Sequence, residues 1–557
     1  MLSSGVALIV LVGWSSVASA QWTQLANEFP SGFAEVSLLL TDGTVMCHAY
    51  GTNQWHRLKP DINGSYQNGS WDVPGFTVAD MPNANDPTIG CVNCRYQPLD
   101  FASAVLPDGR VVVIGGEYNN GNKKWTNIGF MYDPVTNTWS GQITVPSTWC
   151  CTNGRGTLTG GIGDAQSTIL TSGTMLLASL GHRSGKDIAS FDPVTLTFTS
   201  LAPTGKADPN WEENWNQLPD GRVLTIDSAI QTRFEIYDPA TNSWGTAGST
   251  VVNLADYGPG TAGSEEVGPA VLRPDGTLIA FSGTNSGQNA VYNTATGTWA
   301  ATGPAGDFPL VPGHTYHYAV ADGPASLLPN GNVLVMASPV LPMNPPLWDT
   351  PSHFFEFDGT HLTQVADSPH AASFVSYQGK MLLLPTGEVL LTAYNQCPCD
   401  PTPAITDVQL YSNGGAPQDA WRPVITIAPS TVAPGKTYSI SGTLFNGFSE
   451  GASYGDNAQM STNYPLVRIQ NHTTGHVFYT RTHNHSRMGV EAVGSGEIVT
   501  THFDVPASVE PGASDLVVVV NGIPSFPVDT VVGTPTPTPP PRATLTPGPR
   551  PTPTPRP

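Results

Sequence analysis

The sequence predicts an all-β protein in which a seven-bladed β-propeller precedes a small β-sandwich. Three observations carry this prediction: a hairpin motif that recurs seven times, an aromatic hairpin motif that follows each copy, and alternating apolar strands over residues 422–532. The composition agrees, because 58 glycines, 52 prolines and only 12% charged residues in a chain of 557 suit short strands joined by many turns.

The first motif consists of an apolar run, a turn that ends in glycine, and a β-branched run. VLPDGRVVVIGG at Val105 and LLPNGNVLVMAS at Leu327 are two of its copies. Asp-Gly or Asn-Gly between apolar runs indicates a tight hairpin, because glycine adopts positive φ without steric cost. The turn glycines of the seven copies are Gly43, Gly109, Gly173, Gly221, Gly276, Gly331 and Gly387.

The second motif is an aromatic residue, a polar turn and a Trp or Phe, as in YDPVTNTW at Tyr132 and YDPATNSW at Tyr237. Two successive hairpins make one four-stranded sheet, and such a unit repeated at intervals of 48 to 66 residues indicates a propeller. The N-terminal residues Trp22–Leu25 resemble the outer strand of a unit. We therefore expect them to close the ring on the last blade.

The chain divides into four parts. Residues 1–20 are predicted to be a signal peptide, since an apolar stretch ends in Ala18-Ser19-Ala20, so the protein is expected to be secreted. The propeller is assigned to residues 21–421 and the sandwich to residues 422–532. Residues 533–557 form a Pro/Thr-rich tail that is expected to be disordered and extended. No transmembrane segment is expected, and the protein is expected to be a monomer.

Charge and cysteine content narrow the classes of partner. A net charge of −21 argues against nucleic acid, which is bound through clustered Lys and Arg. A carbohydrate or a cation suits an acidic surface better. Export makes disulfides reasonable, and three closely spaced cysteine pairs are expected to staple local loops: Cys91 with Cys94, Cys150 with Cys151, and Cys397 with Cys399.

Carboxylates recur where each repeat is expected to meet the propeller axis, nine residues before its turn glycine. At or beside this position stand Glu35, Asp100, Asp164, Glu212 with Glu213, Glu266, Asp322 and, in the last copy, Tyr377 with Gln378. Only 43 of the 557 residues are acidic, so six carboxylates at seven equivalent places are unexpected by chance. We assign as candidate catalytic residues Asp100, Asp164, Glu212, Glu266 and Asp322.

Such a ring of carboxylates has several chemical uses. Crowded like charges raise one another's pKa, which prepares carboxyl groups to act as general acid and base on a glycosidic bond. Oxygen-rich clusters also bind Ca²⁺, and carboxylates with histidine bind transition metals. A structural alternative stays open: acidic residues at strand starts also accept hydrogen bonds from backbone N–H groups of the neighbouring blade.

The repeats resemble the kelch-type propeller of the galactose oxidase and glyoxal oxidase family, in which an immunoglobulin-like, early-set domain follows the propeller. Besides the LLPDG-type strands, the resemblance rests on Thr482-His483 in YTRTHNHSRMGVEA and on VVVVNGIPS at residues 517–525. It spans residues 21–532. It implies that His483 enters the propeller axis as a copper ligand, with His485 as a second candidate ligand.

The chain departs from the family at the tyrosines of the copper-radical site. The family's Tyr-His pair would fall at Ala321-Asp322 and its cross-linked Tyr at Asp100-Phe101, where neither Tyr nor Cys stands. Tyr316-His317 is out of register. The sequence therefore resembles a bacterial branch that lacks these tyrosines, and either calcium or copper remains a candidate cofactor.

Three functional hypotheses follow. The first is a carbohydrate-active enzyme that uses the acidic hub for acid–base or metal-assisted cleavage of a glycan. The second is a non-catalytic module that binds glycans or cell surfaces, because a propeller fold does not by itself decide function. The third is copper-dependent oxidation of a primary alcohol or aldehyde, which the missing tyrosines disfavour.

Overall fold

The computed structural model describes residues 21–123, 125–149, 161–164, 166–180, 185–255, 265–343, 347–395, 405–455 and 460–533. The predicted signal peptide, tail residues 534–557 and the pairs Cys150-Cys151 and Cys397-Cys399 lie outside these residues. In the described chain, helical structure is limited to the 3₁₀ turns Ser147–Trp149, Ala371–Ser373, Ser376–Gln378 and Asp419–Trp421. None of the described helices is long and apolar enough to cross a membrane.

Six four-stranded antiparallel sheets give the β-propeller arrangement; five of them are built from two successive hairpins, and in the other one the N-terminal strand supplies the fourth strand. Sheet 1 consists of Ala34–Leu39, Val45–Ala49, Trp55–Lys59 and Ser70–Trp71; sheet 2 of Ala102–Val105, Val111–Ile114, Gly129–Asp133 and Thr138–Trp139. Sheet 3 consists of Ser167–Ile169, Met175–Ala178, Ile188–Asp192 and Thr197–Ser200; sheet 4 of Trp215–Gln217, Val223–Ile226, Arg233–Asp238 and Ser243–Ser249. Sheet 5 consists of Ala270–Leu272, Thr277–Ala280, Ala290–Asn293 and Thr298–Ala301; sheet 7 of Gly379–Leu383, Val389–Tyr394, Thr406–Ser412 and Gln21–Gln24.

The remaining copy of the repeat lies in a seven-stranded sheet, sheet 6. Its strands are Ala325–Leu327, Val333–Leu341, His353–Phe357 and Leu362–Gln364, with the additional strands Tyr318–Ala319, Leu347–Trp348 and Ala452–Ser453. The first strand of each sheet contacts that of the next from sheet 2 to sheet 7, and sheet 7 contacts sheet 1. The first strands therefore surround a common axis, which we call the hub.

Two small sheets lie outside the repeats. One is a hairpin of Asn83–Asp86 and Cys91–Arg95, and the other consists of Pro98–Leu99, Tyr118–Asn119 and Asn122–Lys123. Cys91 and Cys94 form a disulfide within the second strand of the hairpin, as expected for a local crosslink. Cys47 is a buried free thiol.

The hairpin turns confirm the first sequence motif. All seven turn glycines have positive φ, between 75° for Gly43 and 86° for Gly109, a region that other L-residues rarely adopt. These turns lie at one end of the first strands, and the carboxylates predicted from the sequence lie at the other end. We call the side of the propeller that carries them the turn face.

The C-terminal domain is a nine-stranded sheet folded around a core that includes Val467, Phe503 and Val518. Its strands are Val424–Ile427, Thr431–Val432, Thr437–Thr443, Leu466–Asn471, Val477–His483, Val499–Asp504, Gly512–Val520, Ile523–Pro524 and Val528–Val532. It packs on the turn face, where the amide of Thr482 donates to the carbonyl of Thr41 at 3.0 Å.

The N-terminal strand closes sheet 7, as the sequence predicts: Trp22 pairs with Tyr411 in antiparallel register. The Trp22 indole packs 4.6 Å from the ring of Phe354, and its Nε1–H donates to the Ala366 carbonyl at 2.7 Å. We expect Trp22→Ala to lower the free energy of unfolding by about 2–4 kcal/mol, through lost packing. Urea unfolding of this variant and of Gln21→Ala, an exposed change in the same strand, tests this, and equal midpoints would contradict it.

Candidate active site at the propeller hub

Four of the predicted site residues share an unusual backbone conformation. Asp100, Asp164, Glu212 and Asp322 have φ of 51°, 48°, 52° and 43°, just before the first strands of sheets 2, 3, 4 and 6. This left-handed conformation costs a non-glycine residue roughly 1–2 kcal/mol, although short polar side chains such as Asp tolerate it best. Strain of this kind concentrates at functional sites, where surrounding structure holds it.

Three of the predicted carboxylates, from sheets 4, 5 and 6, meet at the hub. One oxygen each of Glu212, Glu266 and Asp322 lies within 4.8 Å of the other two. Glu212 is buried, whereas Glu266 and Asp322 keep partial exposure. We call these three residues the acidic triad.

The acidic triad holds a proton in the acidic to neutral pH range. Burial raises the pKa of Asp322 to about 6, and its carboxyl group is hydrogen bonded to that of Glu266. Two carboxyl groups can share a hydrogen bond only if one of them is protonated. The pair can therefore donate one proton to a bound group and accept it again.

Asp100 is a second carboxyl group with a raised pKa at the hub. Burial raises its pKa to about 7, Lys380 opposes the shift, and the charges of Glu35 and Glu117 reinforce it. The Lys380 Nζ lies 4.0 Å from Asp100 Oδ1, and the Asp100 side chain is 26% exposed. Asp100 therefore combines a proton that titrates near neutrality with access to solvent.

Tyrosines surround these carboxyl groups. The rings of Tyr50 and Tyr394 lie 4.4 Å apart, and the charges of Glu35 and Asp100 add to burial in raising the pKa of both phenols. Tyr377 is 46% exposed. Aromatic faces beside hydrogen-bonding groups suit ligands that are polar at their edges and apolar on their faces, as sugars are.

A segment of the C-terminal domain enters the propeller axis beside the first strand of sheet 6. Ala452–Ser453 pairs with Ala325–Leu327, and the Tyr454 hydroxyl donates to the Tyr377 carbonyl at 2.7 Å. The Lys380 ammonium lies 3.0 Å from the centroid of the Tyr454 ring. We call residues 450–455 the axial segment.

Gly455 lets the axial segment approach the acidic triad. Its φ is 120°, and an added Cβ would lie 3.2 Å from Asp322 Oδ1 and 3.4 Å from Asp322 Cα. A larger residue would meet the triad and would also strain the backbone. The axial segment thus forms one wall of the site.

At the base of the axial segment, Glu450 accepts hydrogen bonds from the Thr168 hydroxyl at 3.1 Å and the Gln217 amide at 3.0 Å. Burial raises its pKa from 4.5 to about 7. Because the folded state then binds more protons than the unfolded state, the stability that this group contributes is present below pH 4.5 and is lost as the pH rises to about 7.

We therefore expect Glu450→Gln to unfold with a weaker pH dependence than the wild type between pH 5 and pH 8. The difference should reach no more than about 3 kcal/mol, since each unit of pKa shift corresponds to about 1.4 kcal/mol. Unfolding midpoints across this range test the prediction, with Glu28→Gln as an exposed control. A wild-type slope in Glu450→Gln would contradict it.

The other carboxylates of the predicted ring lie apart from the acidic triad. Glu35 is fully buried and 2.6 Å from the Nδ1 of His48. Asp164 has the shared backbone conformation but is not grouped with the triad. Glu213 points away from Glu212 into a buried ion cluster. The sequence pattern thus places these residues at or near the start of a first strand, whereas their side chains lie in different surroundings.

The buried ion cluster is centred on Lys206, which the sequence did not single out. Its Nζ lies 2.6 Å from Asp208, 2.6 Å from Glu213 and 2.7 Å from Glu235. Asp227 joins it, and burial raises the pKa of Asp227 to about 8. The ammonium stands where a cation bound by these carboxylates would stand, so the cluster is a structural one.

The structure does not place the predicted histidine ligands at the hub, and this part of the prediction is wrong. His483 Nε2 lies 3.2 Å from Asp504 Oδ1, within the C-terminal sheet. The His485 amide donates to the Pro107 carbonyl at 3.3 Å, on the turn face. Seven residues of extended chain, about 20 Å, separate Pro107 from Asp100. The axial segment, and not Thr482-His483, enters the propeller.

His485 is held at the boundary between the propeller and the C-terminal domain, and its place there rather than its chemistry separates it from the acidic triad. Its Nδ1 shares a hydrogen bond with the Thr501 hydroxyl at 2.9 Å, and burial lowers its pKa to about 3. It is a neutral side chain packed between the two domains.

The side chains at the hub do not fit copper. Copper in proteins takes imidazole nitrogen and thiolate sulfur, whereas the triad offers only carboxylate oxygen. His48, which adjoins the hub through Glu35, has both ring nitrogens engaged, Nδ1 with Glu35 at 2.6 Å and Nε2 with the Thr52 carbonyl at 2.9 Å. The donor set of the hub therefore gives no support to copper chemistry.

Sequence reasoning missed Lys380 and the axial segment. The sequence contained one signal for Lys380, a lysine inside the otherwise apolar strand GKMLL. A lysine in a buried strand is expected to have a partner, because lysine is rarely buried unless paired. The axial segment gave none, since Glu450–Gly455 carries no hydropathy pattern.

Comparison with known proteins identifies a kelch motif in one repeat of the chain. No curated protein matches the chain. Among solved structures, a fungal alcohol oxidase of the AA5 family in complex with copper aligns with 92% of this chain and 99% of its own, at 15% identity and a TM-score of 0.48. The Penicillium chrysogenum α-L-arabinanase complexed with arabinobiose aligns with 62% of this chain and 95% of its own, at 11% identity and a TM-score of 0.29. The kelch motif matches residues 98–141, so the kelch-type prediction is confirmed for the repeat that forms sheet 2.

Proposed function

We propose that the hub of this protein is an acid–base site that cleaves a neutral carbohydrate chain. The observation that carries the proposal is the acidic triad, in which the carboxyl group of Asp322 is hydrogen bonded to that of Glu266 beside the carboxylate of Glu212. A general acid must be protonated at the working pH, and burial provides this for Asp322 by raising its pKa to about 6.

Each carboxylate has a role in this proposal. Asp322, supported by Glu266, protonates the oxygen of the leaving sugar. Glu212 stabilises the developing positive charge or attacks the sugar carbon as its bond to the leaving oxygen breaks, because carboxyl groups about 5–5.5 Å apart are typical of glycosidases that retain configuration. Water then attacks the same carbon, frees Glu212 and returns a proton to Asp322. Asp100 and Asp164 position sugar hydroxyl groups on the neighbouring sheets.

The proposal also includes the blade count, the C-terminal domain and the location of the protein. We infer that sheet 6 is the seventh blade of the kelch-type propeller, supported by the contacts of its first strand with those of sheets 5 and 7. We infer that residues 422–532 form an immunoglobulin-like domain, and that the galactose-oxidase-like chain is secreted, as a polysaccharide-degrading enzyme needs to be.

Glycan binding without cleavage is the second candidate function. The observation that favours it is the pair of tyrosines at the hub that keep solvent exposure, Tyr50 and Tyr377, which offer stacking faces for sugar rings. Oxidation of an alcohol through copper is disfavoured by the carboxylate donor set.

The experiment is incubation of the purified protein with a panel of neutral polysaccharides, with and without a metal chelator, and mass spectrometry of the products. We expect shortened oligosaccharides with new reducing ends in both conditions. Loss of products in the chelator would show metal-assisted cleavage. Binding without products would support the second candidate, and formation of peroxide with an oxidised sugar would contradict acid–base cleavage.

A further inference from the structure

A groove of about 750 Å³ lies between sheet 1 and the C-terminal domain, away from the hub. Pro74 and Phe76 line it from the propeller side, and Tyr479 and Pro506 line it from the C-terminal domain. Val135, at its rim, is 62% exposed. We call this the interdomain groove.

The lining of the interdomain groove is both aromatic and acidic. Four carboxylates line it against two cationic side chains, and two of these carboxylates, Asp61 and Glu510, are held by hydrogen bonds from neighbouring residues. Grooves with aromatic walls bind proline-rich segments, whose polyproline II conformation is already formed and so costs little entropy on binding. A cationic residue in such a segment would complement the carboxylates.

The C-terminal tail of this chain has that chemistry. Residues 534–557 contain eleven prolines, three arginines and no acidic residue, and they begin TPTPTPPPR. In the polyproline II conformation their 24 residues would span about 75 Å.

The last strand directs the chain toward the interdomain groove. Val532 pairs with Gly512 in antiparallel register. The residue two positions after Val532 would therefore lie opposite Glu510, which lines the groove. Neighbouring strands lie about 5 Å apart, so the tail begins within one or two residues' reach of this rim.

We propose that residues 534–542 of the tail fold back and dock in the interdomain groove. The prolines of the Thr-Pro repeat pack on Tyr479 and beside Phe76, whose ring centroid lies 4.6 Å from the Lys59 ammonium. Arg542 pairs with Asp61, because the other three carboxylates already contact Arg57, Arg481 or His476. Because the tail is covalently attached, its effective concentration at the groove is of millimolar order, so even a weak contact is mostly formed.

Digestion of the full chain with trypsin tests this. Trypsin cleaves after arginine unless proline follows, and Arg542-Ala543 is the one such bond in the tail. The release of residues 543–557, followed by mass spectrometry, should be at least tenfold slower in the protein than in a free peptide of residues 534–557. Phe76→Ala should restore rapid cleavage. Val135→Arg, an exposed change that adds a repelling charge at the rim, should also accelerate it and keeps the test valid if Phe76→Ala fails to fold.

Two outcomes would overturn the proposal. One is cleavage of the wild-type tail at the rate of the free peptide. The other is protection that appears only at high protein concentration together with a dimer in light scattering, which would assign the groove to the tail of a second copy. Cleavage rates unchanged by both groove variants would likewise show that the tail is protected elsewhere.

Discussion

Asp322→Asn is expected to lower kcat/KM on the glycan that the protein cleaves by about 10²- to 10⁴-fold, the usual contribution of a general acid. The amide cannot give a proton to the leaving oxygen, whereas it keeps the size and the hydrogen-bonding capacity of the carboxyl group. Asn also tolerates the φ of 43° at this position. The loss should therefore lie mostly in kcat, with the fold and the unfolding midpoint little changed.

Asp133→Asn is the matched control for this variant. Asp133 accepts a hydrogen bond from the Val135 amide in a turn of sheet 2, and the equivalent turn of sheet 5 carries Asn293, which accepts a hydrogen bond from Ala295 in the same way. This variant should keep full activity. Wild-type activity of Asp322→Asn would remove the acidic triad from the mechanism.

Lys206→Met is expected to destabilise the protein by about 3–5 kcal/mol, because removing one partner of a buried ion cluster leaves its carboxylates without compensation. The Lys206 side chain is 1% exposed and touches three carboxylates at 2.6–2.7 Å. Urea unfolding measures the effect. Addition of Glu213→Gln should recover part of the loss, since one buried negative charge is then removed.

Lys186→Met is the control, because the Lys186 ammonium contacts the loop that carries Lys206. Lys186 is exposed, and its ammonium donates to the carbonyl of Ala207 at 2.6 Å. This variant should cost less than about 1 kcal/mol. If Lys206→Met were no more destabilised than Lys186→Met, the cluster would not contribute to stability.

Local chemistry explains which parts of the fold the sequence predicted. The turn glycines need positive φ, and Gly43 and Gly109 confirm it. The first strands follow from their apolar runs, and the closing strand follows from the likeness of Trp22 to an outer strand. The equivalence of positions around the hub also follows, because a repeat places the same backbone position at the same distance from the axis.

The contacts between distant segments could not be predicted in this way. Glu212 and Glu213 are adjacent, yet one joins the triad and the other Lys206. Glu212 has a φ of 52° and precedes the strand, so the regular alternation of strand side chains does not apply to this pair. The segment that enters the axis depends on how the C-terminal domain sits on the turn face. A motif match favoured Thr482-His483, whereas packing placed the axial segment there.

The most direct test of the central claim is the pH profile of kcat/KM for glycan cleavage, compared between the wild type and Asp322→Asn, because kcat/KM reports the pKa values of the free enzyme. The general acid must be protonated, so wild-type activity should fall as the pH rises through about 6, the raised pKa of Asp322. The residual activity of Asp322→Asn should lack this fall. A wild-type profile without it, or the same fall in both proteins, would contradict acid–base catalysis by the acidic triad.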